Sequence, residues 1–195
     1  MTRSALATRP ACLEDLQDLV GLWTQLREAG GRAARSVHPA NPADAEARLR
    51  AVLADPEHRV VLCHLDGAPA GMAILTDVGM GPLTDHRAIQ LSAVAVEDSH
   101  RRRGVGRALV AAALAYADEV GRDQIVVSLY PALRDAQRFY ARLGFTPLVL
   151  RRVAPVAVVR RRLGLPERRS AHDLVPLRAR VRRSRLTPRR ALERR

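Results

Sequence analysis

The clearest pattern of apolar and polar residues lies between Leu91 and Asp118. It begins with an apolar run rich in valine and alanine, Leu91–Val96, which is typical of a strand. A polar connector leads to Gly104-Val105-Gly106, after which apolar residues recur with the period of one helix face: Val105, Leu109, Ala112, Ala113, Tyr116 and Val120. The segment therefore predicts a strand, a tight glycine turn and a helix.

Shorter patterns on either side predict the remaining elements. Before the central unit we expect strands at 6–9, 60–65 and 69–78, helices at 13–28 and 42–53, and a loop at 30–42. Asp66-Gly67 is a hairpin signal between two of these strands. After the unit we expect a strand at 124–129, a helix at 133–143, and final strands at 145–151 and 153–159. An antiparallel meander that leads into a strand–helix–strand unit predicts an α/β or α+β fold.

The glycine turn has a physical use in binding anions. The first N–H groups of a helix have no partner within the helix and carry the positive end of its dipole. Glycines allow the backbone to approach a ligand such as a pyrophosphate, and Arg101, Arg102 and Arg103 directly precede the turn. An ordinary strand–turn–helix connection is the alternative, and two glycines alone do not decide between them.

Two well-known phosphate-binding loops are excluded by the residues present. A dinucleotide fingerprint requires a third glycine, where this chain has Leu109. A Walker loop requires a lysine, and the chain contains no lysine. The same absence excludes Schiff-base chemistry and a lysine general base.

The glycine turn, the strand before it and a later helix resemble those of the GCN5-related N-acetyltransferase (GNAT) family. The segment 101–106 is similar to the family motif Arg/Gln-x-x-Gly-x-Gly/Ala, and 94–96 is similar to the strand before it. A second motif, 136–145, resembles the later family helix with its tyrosine and Gly-Phe ending. The resemblance covers residues 4–159 and implies a mixed, mostly antiparallel sheet of six to seven strands with about four flanking helices.

The resemblance also implies the cosubstrate and its binding residues. Acetyl-CoA would pair its pantetheine arm with the central strand and place its pyrophosphate in the turn, at Val94, Ala95, Val96, Arg101, Arg102, Arg103, Gly104, Val105, Gly106 and Arg107. Main-chain N–H groups would supply most of the phosphate contacts. The arginine side chains would either add forked hydrogen bonds or form a solvated basic connector.

The resemblance implies direct attack of an amine on acetyl-CoA, with Tyr140 as the general acid. A tyrosine that only packs in the core is the alternative. Gln90, Ser128 and Leu133 occupy positions where relatives carry a glutamate or an asparagine, so the base is left open. A water chain, Asp85 or His86 could serve, and a weak or non-catalytic CoA-binding protein is a further reading. The histidines show no metal-ligand spacing, and no metal is implied.

Composition adds bounds on environment and partners. The net charge is +13, and residues 160–195 alone carry +11, so we expect a GNAT domain at 1–159 and an arginine-rich tail at 160–195, partly helical or disordered. The rival function is nucleic-acid or ribosome binding by this tail, which would be salt-sensitive. Cys12 and Cys63 suit free thiols in a cytoplasmic protein, and no apolar run is long enough to span a membrane. The acceptor, a small molecule or a protein, and the choice between monomer and homodimer stay open.

Overall fold

The computed structural model describes residues 5–166 of the 195-residue chain. The chain divides between Thr146 and Pro147 into two compact units. The first unit contains one sheet and five helices, whereas the described part of the second contains one short helix.

The sheet has five strands in chain order, β1 to β5. Their bounds are β1 Leu6–Pro10, β2 His58–Leu65, β3 Ala68–Gly79, β4 Arg87–Val96 and β5 Ile125–Val127. The pairs from β1 to β4 are antiparallel, and β5 pairs with β4 in parallel. The mixed, mostly antiparallel sheet that was expected is confirmed, with five strands among the described residues.

The hairpin between β2 and β3 forms at the predicted Asp66-Gly67 turn. Both residues have positive φ, 53° and 85°, which a two-residue hairpin with the correct twist requires. The Asp66 carboxylate also accepts a hydrogen bond of 2.9 Å from the Ala5 backbone N–H. One turn thus closes the hairpin and ties β1 to its end.

Six α-helices lie among the described residues: α1 Leu16–Ala29, α2 Gly31–Val37, α3 Pro42–Ala54, α4 Val105–Glu119, α5 Arg134–Arg142 and α6 Val156–Arg162. Alternate residues of the strands point to opposite faces, so the sheet has two apolar surfaces. Helices α1 and α3 cover one surface, where Trp23 packs with Leu62 and Met72. Helix α4 covers the other, where Leu109 packs with Leu75 and Leu91. The sheet is thus the middle layer of the first unit.

Two sequence expectations about secondary structure are wrong. The loop expected at 30–42 contains α2, because Gly30 ends α1 and the left-handed Gly31 (φ 64°) lets a second helix start in a new direction. The final strands expected at 145–151 and 153–159 do not form, and α6 occupies part of that range. Pro147 and Pro155 remove two backbone donors that a strand ladder would need, and the left-handed Gly164 (φ 66°) follows α6.

The boundary expected at residue 159 falls inside α6, and most of the arginine-rich tail lies outside the described residues. Between residues 5 and 166, no helix is both long and apolar enough to cross a membrane. Both cysteines are free, as expected, with Cys12 exposed and Cys63 buried. Burial raises the pKa of the Cys63 thiol.

Candidate active site

The separation of β4 from β5 leaves an open backbone edge along the second half of β4. The parallel pairing runs from Ile89–Ile125 to Leu91–Val127 and ends there. One further hydrogen bond, from Ser128 N–H to the Leu91 carbonyl at 3.2 Å, marks the end of contact. Because β4 continues to Val96, its last five residues face β5's side without a neighbouring strand.

A β-bulge changes the direction of β4 at the start of this open edge. The register of β3 against β4 shifts between Met72 and Ile74, opposite Ala93. Ala93 has φ 48°, a left-handed conformation that is unusual for a residue with a side chain. Bulges bend a strand and are frequent beside functional sites. The bulge lies where β4 leaves β5, and it sets the direction in which Val94, Ala95 and Val96 continue.

The glycine turn places the start of α4 directly after this edge. Residues 98–100 form one turn of 3₁₀ helix, Arg102 is left-handed with φ 61°, and Gly104 caps α4 with φ 93°. The first backbone N–H groups of α4 have no partners inside the helix; they belong to Val105, Gly106 and Arg107. The predicted turn therefore presents main-chain donors at the end of an open strand.

Gly71 on β3 sets how closely α4 approaches the sheet. A side chain at this position would place its Cβ 2.7 Å from Val105 Cγ1 and 2.8 Å from the Ala95 carbonyl oxygen. These distances are too short for any Cβ, so only glycine allows this packing. The N-terminus of α4 is thereby held against the end of β4.

The four arginines of the turn are exposed, and two of them contact carboxylates. Arg101 lies 2.6 Å from Asp98, and Arg103 lies 3.5 Å from Asp66. Arg102 and Arg107 extend into solvent. The pKa of Asp135, at the start of α5, is lowered chiefly by Arg138 and further by Arg102 and Arg101, which places α5 beside the turn.

Tyr140 lies in the core beneath this turn. Its side chain is 3% exposed, and Phe139 and Phe145 pack edge-to-face against it with ring centroids 5.0 and 5.2 Å away. Phe139 also lies 3.4 Å from where a Cβ on Gly106 would be, so α5 contacts the first turn of α4. Burial raises the pKa of Tyr140 to about 12. The hydroxyl makes no hydrogen bond to another residue in the range 5–166 and keeps its proton at neutral pH.

The positions where relatives carry a base hold groups that cannot accept a proton near neutral pH. Gln90 on β4 donates from Nε2 to the Ser128 hydroxyl at 3.2 Å, so these two positions face each other across the paired strands. Leu133 packs into the α1 face of the core. Asp85 and His86 lie in the exposed loop before β4. Within residues 5–166, no group of three or more His, Cys, Asp or Glu could hold a metal ion.

The structure also brings together two residues that the sequence analysis did not pair. The Tyr130 hydroxyl, just beyond β5, lies 2.5 Å from Nε2 of His38, at the end of α2. Trp23 of α1 packs against the same imidazole. The sequence predicts a loop at His38, and 92 residues separate it from Tyr130, so no local pattern joins the two.

Several solved structures with this fold are described as acetyltransferases. A GCN5-related N-acetyltransferase from Ralstonia eutropha is 28% identical, with a TM-score of 0.62 over 78% of this chain and 99% of that one. An aminoglycoside N-acetyltransferase in complex with CoA is 21% identical, with a TM-score of 0.62 over 77% and 95%. A ribosomal-protein-alanine N-acetyltransferase from Brucella melitensis is 19% identical, with a TM-score of 0.61 over 77% and 99%.

No curated protein sequence matches the chain significantly. The model of the acetyltransferase (GNAT) family, however, matches residues 23–145. This range begins in α1, contains the open edge, the glycine turn and Tyr140, and ends at Phe145. The family expected from two short motifs is confirmed by a match over most of the chain, which belongs to the acetyltransferase (GNAT) family.

Proposed function

We propose that this protein transfers an acetyl group from acetyl-CoA to an amine, by direct attack of the amine while both substrates are bound. The observation that carries the proposal is the open edge of β4, which leads through the glycine turn into the first turn of α4. An extended amide-bearing arm can pair with such an edge. A pyrophosphate is suited to the donors and the positive dipole that follow it.

The residues present fit this cosubstrate. Val94, Ala95 and Val96 offer backbone groups along the edge, and the N–H groups of Val105, Gly106 and Arg107 offer anion contacts. The first turn of α4 contains no acidic residue that would repel phosphate. Arg102 and Arg107 are the exposed cations of the turn with room to add charge, whereas Arg101 would first have to leave Asp98.

When bound, acetyl-CoA supplies the thioester carbonyl that the amine attacks. The protein must then provide a proton for the departing thiolate. Tyr140 carries that proton at its hydroxyl oxygen, because burial keeps the group neutral and no described residue competes for it. A backbone N–H near Val94 would hydrogen-bond the carbonyl oxygen and stabilise its developing charge.

The class of the acceptor is an amine, either on a small molecule or on a protein. The related structures include enzymes described for an aminoglycoside and for a ribosomal-protein alanine, so the shared fold accommodates both classes.

Calorimetric titration of the full chain with acetyl-CoA tests the cosubstrate site. We expect saturable binding, and we expect Gly104→Glu to abolish it by placing bulk and negative charge at the start of α4. Gly121→Glu is the matched control, because Gly121 is also left-handed (φ 67°) but lies beyond the other end of α4 with no atom within 4 Å of a Cβ. Equal loss in both variants, or no binding by the wild type, would contradict the proposal.

A panel of amines with acetyl-CoA then tests transfer, with release of free thiol as the measurement. Thiol release that requires both the amine and an intact Tyr140 supports acetyl transfer. Binding of acetyl-CoA without thiol release from any amine would leave a CoA-binding protein and reject the enzyme.

A further inference from the structure

His38 is held in one orientation by three contacts. Its Nε2 atom lies 2.5 Å from the Tyr130 hydroxyl, and the Tyr130 ring packs against it at a centroid distance of 5.8 Å. Trp23 contacts it edge-on at 6.1 Å. Tyr130 is itself seated over Gly30, where a Cβ would come within 2.9 Å of the tyrosine ring. The imidazole and the phenol therefore form a fixed, half-buried pair.

This pair lies beside the gap between β4 and β5. Tyr130 follows Val127, the last residue of β5 that pairs with β4, by three positions. Tyr130 and the bulge residue Ala93 both pack into the core on the α1 face of the sheet. Helix α4 lies on the opposite face. The proposed cosubstrate edge and the His38–Tyr130 pair thus border the same gap, the pair from the side of α1.

Charge and burial shift the pKa values of both members of the pair in the direction that favours their neutral forms. Burial lowers the pKa of His38, and the positive charge of Arg27 on α1 lowers it further. Arg27 turns toward the protein, since its Nε atom is fully buried. The nearby cations on α2, Arg32 and Arg35, are exposed. Burial raises the pKa of Tyr130, so its hydroxyl keeps its proton. It can donate that proton to Nε2 of His38 when the imidazole is neutral and carries its own proton on Nδ1.

An acceptor amine is protonated near neutral pH and must lose a proton before it can attack. Gln90 and Ser128, at the positions where relatives carry a base, cannot take that proton. Building on the proposed acetyl transfer, we propose that His38 accepts it through the Tyr130 hydroxyl. His38 would act as the base, and Tyr130 would be the group that contacts the amine.

The ammonium group gives one proton to the Tyr130 oxygen while the Tyr130 hydroxyl proton moves to His38 Nε2, and the resulting imidazolium releases a proton to solvent. The amine nitrogen then forms the N–C bond and the C–S bond breaks. The second proton of the nitrogen passes to solvent, and the thiolate takes the hydroxyl proton of Tyr140, which solvent restores.

The test compares two acceptors with the full chain. One is an alkylamine that the wild type acetylates, and the other is hydroxylamine, which is already unprotonated at neutral pH. His38→Gln keeps an acceptor for the Tyr130 hydroxyl but removes the base. We expect it to lower kcat/KM for the alkylamine by about 10²-fold or more at pH 7. The kcat/KM for hydroxylamine should stay nearly unchanged.

The pH profile gives a second signature. In His38→Gln, activity with the alkylamine should recover as the pH rises toward the pKa of the amine, because the free amine then needs no base. Arg27→Gln should move the acidic limb of the wild-type profile to higher pH, since removing a positive charge raises the pKa of His38. Tyr130→Phe, which keeps the ring over Gly30, should show the same loss as His38→Gln.

Matched controls separate this role from a structural one. His58→Gln removes another half-buried histidine, which lies on β2 with its Nδ1 atom 2.8 Å from the Thr76 hydroxyl. This substitution should leave kcat/KM unchanged with either acceptor. If His38→Gln lowers kcat/KM equally with both acceptors at every pH, His38 is not the base, although acetyl transfer itself still stands. If the wild type acetylates neither amine, the proposed function fails and the inference falls with it.

Nitrogen NMR of the full chain gives a readout independent of turnover. A neutral His38 with its proton on Nδ1 at pH 7, and loss of the hydrogen-bond signature at Nε2 in Tyr130→Phe, support the inference. An imidazolium or an Nε2–H form at pH 7 overturns it.

Discussion

Tyr140 and Tyr130 show how two residues of one type can acquire different chemistry. Tyr140 is buried between two phenylalanine rings, and its hydroxyl has no partner among the described residues. Tyr130 is half-buried and bonded to His38. In the proposed mechanism, the first gives a proton to the thiolate and the second passes one to His38. The difference comes from their environments, because the side chains are the same.

Tyr140→Phe should lower kcat for acetyl transfer by about 10²-fold or more while leaving acetyl-CoA affinity unchanged. The reason is that phenylalanine keeps the contacts with Phe139 and Phe145 and removes only the proton. Because burial raises the pKa of Tyr140 to about 12, the wild type should show no loss from its ionisation near neutral pH. Steady-state rates and calorimetry measure the two effects. Tyr116→Phe on α4 is the matched control, and an equal loss there would reject the role of Tyr140.

Asp15 is the one buried carboxylate among the described residues, and it should matter for stability. It accepts hydrogen bonds of 2.6 and 2.7 Å from Arg9 and of 2.8 Å from the Cys12 N–H. Asp15→Asn should lower the free energy of unfolding by about 1–3 kcal/mol at pH 7, because it weakens charge-assisted bonds to a buried group. Urea denaturation measures this change.

The difference in unfolding free energy between wild type and Asp15→Asn should depend on pH in one direction. Arg9 holds the pKa of Asp15 well below its usual range, so the stabilisation is complete above the unfolded pKa and is lost as the pH falls. The gap between wild type and Asp15→Asn should therefore narrow below about pH 4. Asp135→Asn is the control, since its pair with Arg138 is exposed and should contribute little. A gap that widens in acid would contradict this account.

At the scale of elements, the packing of α4 against β3 and β4 decides the geometry of the candidate site. Gly71→Ala should push α4 from the sheet, because its Cβ would meet Val105 at 2.7 Å and the Ala95 carbonyl at 2.8 Å. We expect a loss of about 1–3 kcal/mol in stability, as for overpacked cores, together with weaker acetyl-CoA binding. Thermal unfolding with and without ligand measures both.

Gly79→Ala supplies the control on the same strand, where a Cβ would meet nothing within 4 Å. A ligand at 100 times its dissociation constant adds about 2.7 kcal/mol of stability. This increment should be retained in Gly79→Ala and reduced in Gly71→Ala. Equal increments in the two variants would show that the position of α4 does not control binding.

The elements that sequence alone predicts well are those with a strong local signal. The period of α4, the Asp66-Gly67 turn and the glycine motif each depend on residues close together in the chain. The bulge at Ala93 has no such signal, because an alanine with positive φ is imposed by the neighbouring strands. The valine-rich segment near 156–159 favours a strand by propensity, yet it forms α6.

The residues of the candidate site also differ in whether a local sequence signal predicts them. The open edge and the glycine turn, where cosubstrate binding is proposed, follow one another in sequence, so a motif could predict that they lie side by side. The His38–Tyr130 pair depends on α2 and the end of β5 meeting in three dimensions. Gln90 and Ser128 could each be read as a missing base, but only the structure shows that they bond to each other.

At the scale of the whole molecule, charge and chemistry are separated along the chain. The net charge is +13, and residues 160–195 account for +11 of it, whereas the candidate site lies entirely within residues 38–140. A concentrated positive charge attracts polyanions without reading their sequence, and salt weakens this attraction steeply. Retention of the protein by an anionic polymer should therefore depend on the C-terminal arginines and not on the acetyl-CoA site.

Removing residues 167–195 should separate the two properties. The full chain should bind a heparin column and elute only at raised salt, and a chain ending at Pro166 should elute much earlier because it has lost eleven arginines. Its affinity for acetyl-CoA should match that of the full chain, since every residue proposed to contact the cosubstrate lies before Pro166. Gly104→Glu in the full chain makes the reciprocal test, with heparin retention kept and acetyl-CoA binding lost. If the truncation weakens acetyl-CoA binding at physiological salt, the C-terminal segment takes part in the site, and the basic tail and the acetyl-CoA site are not separate.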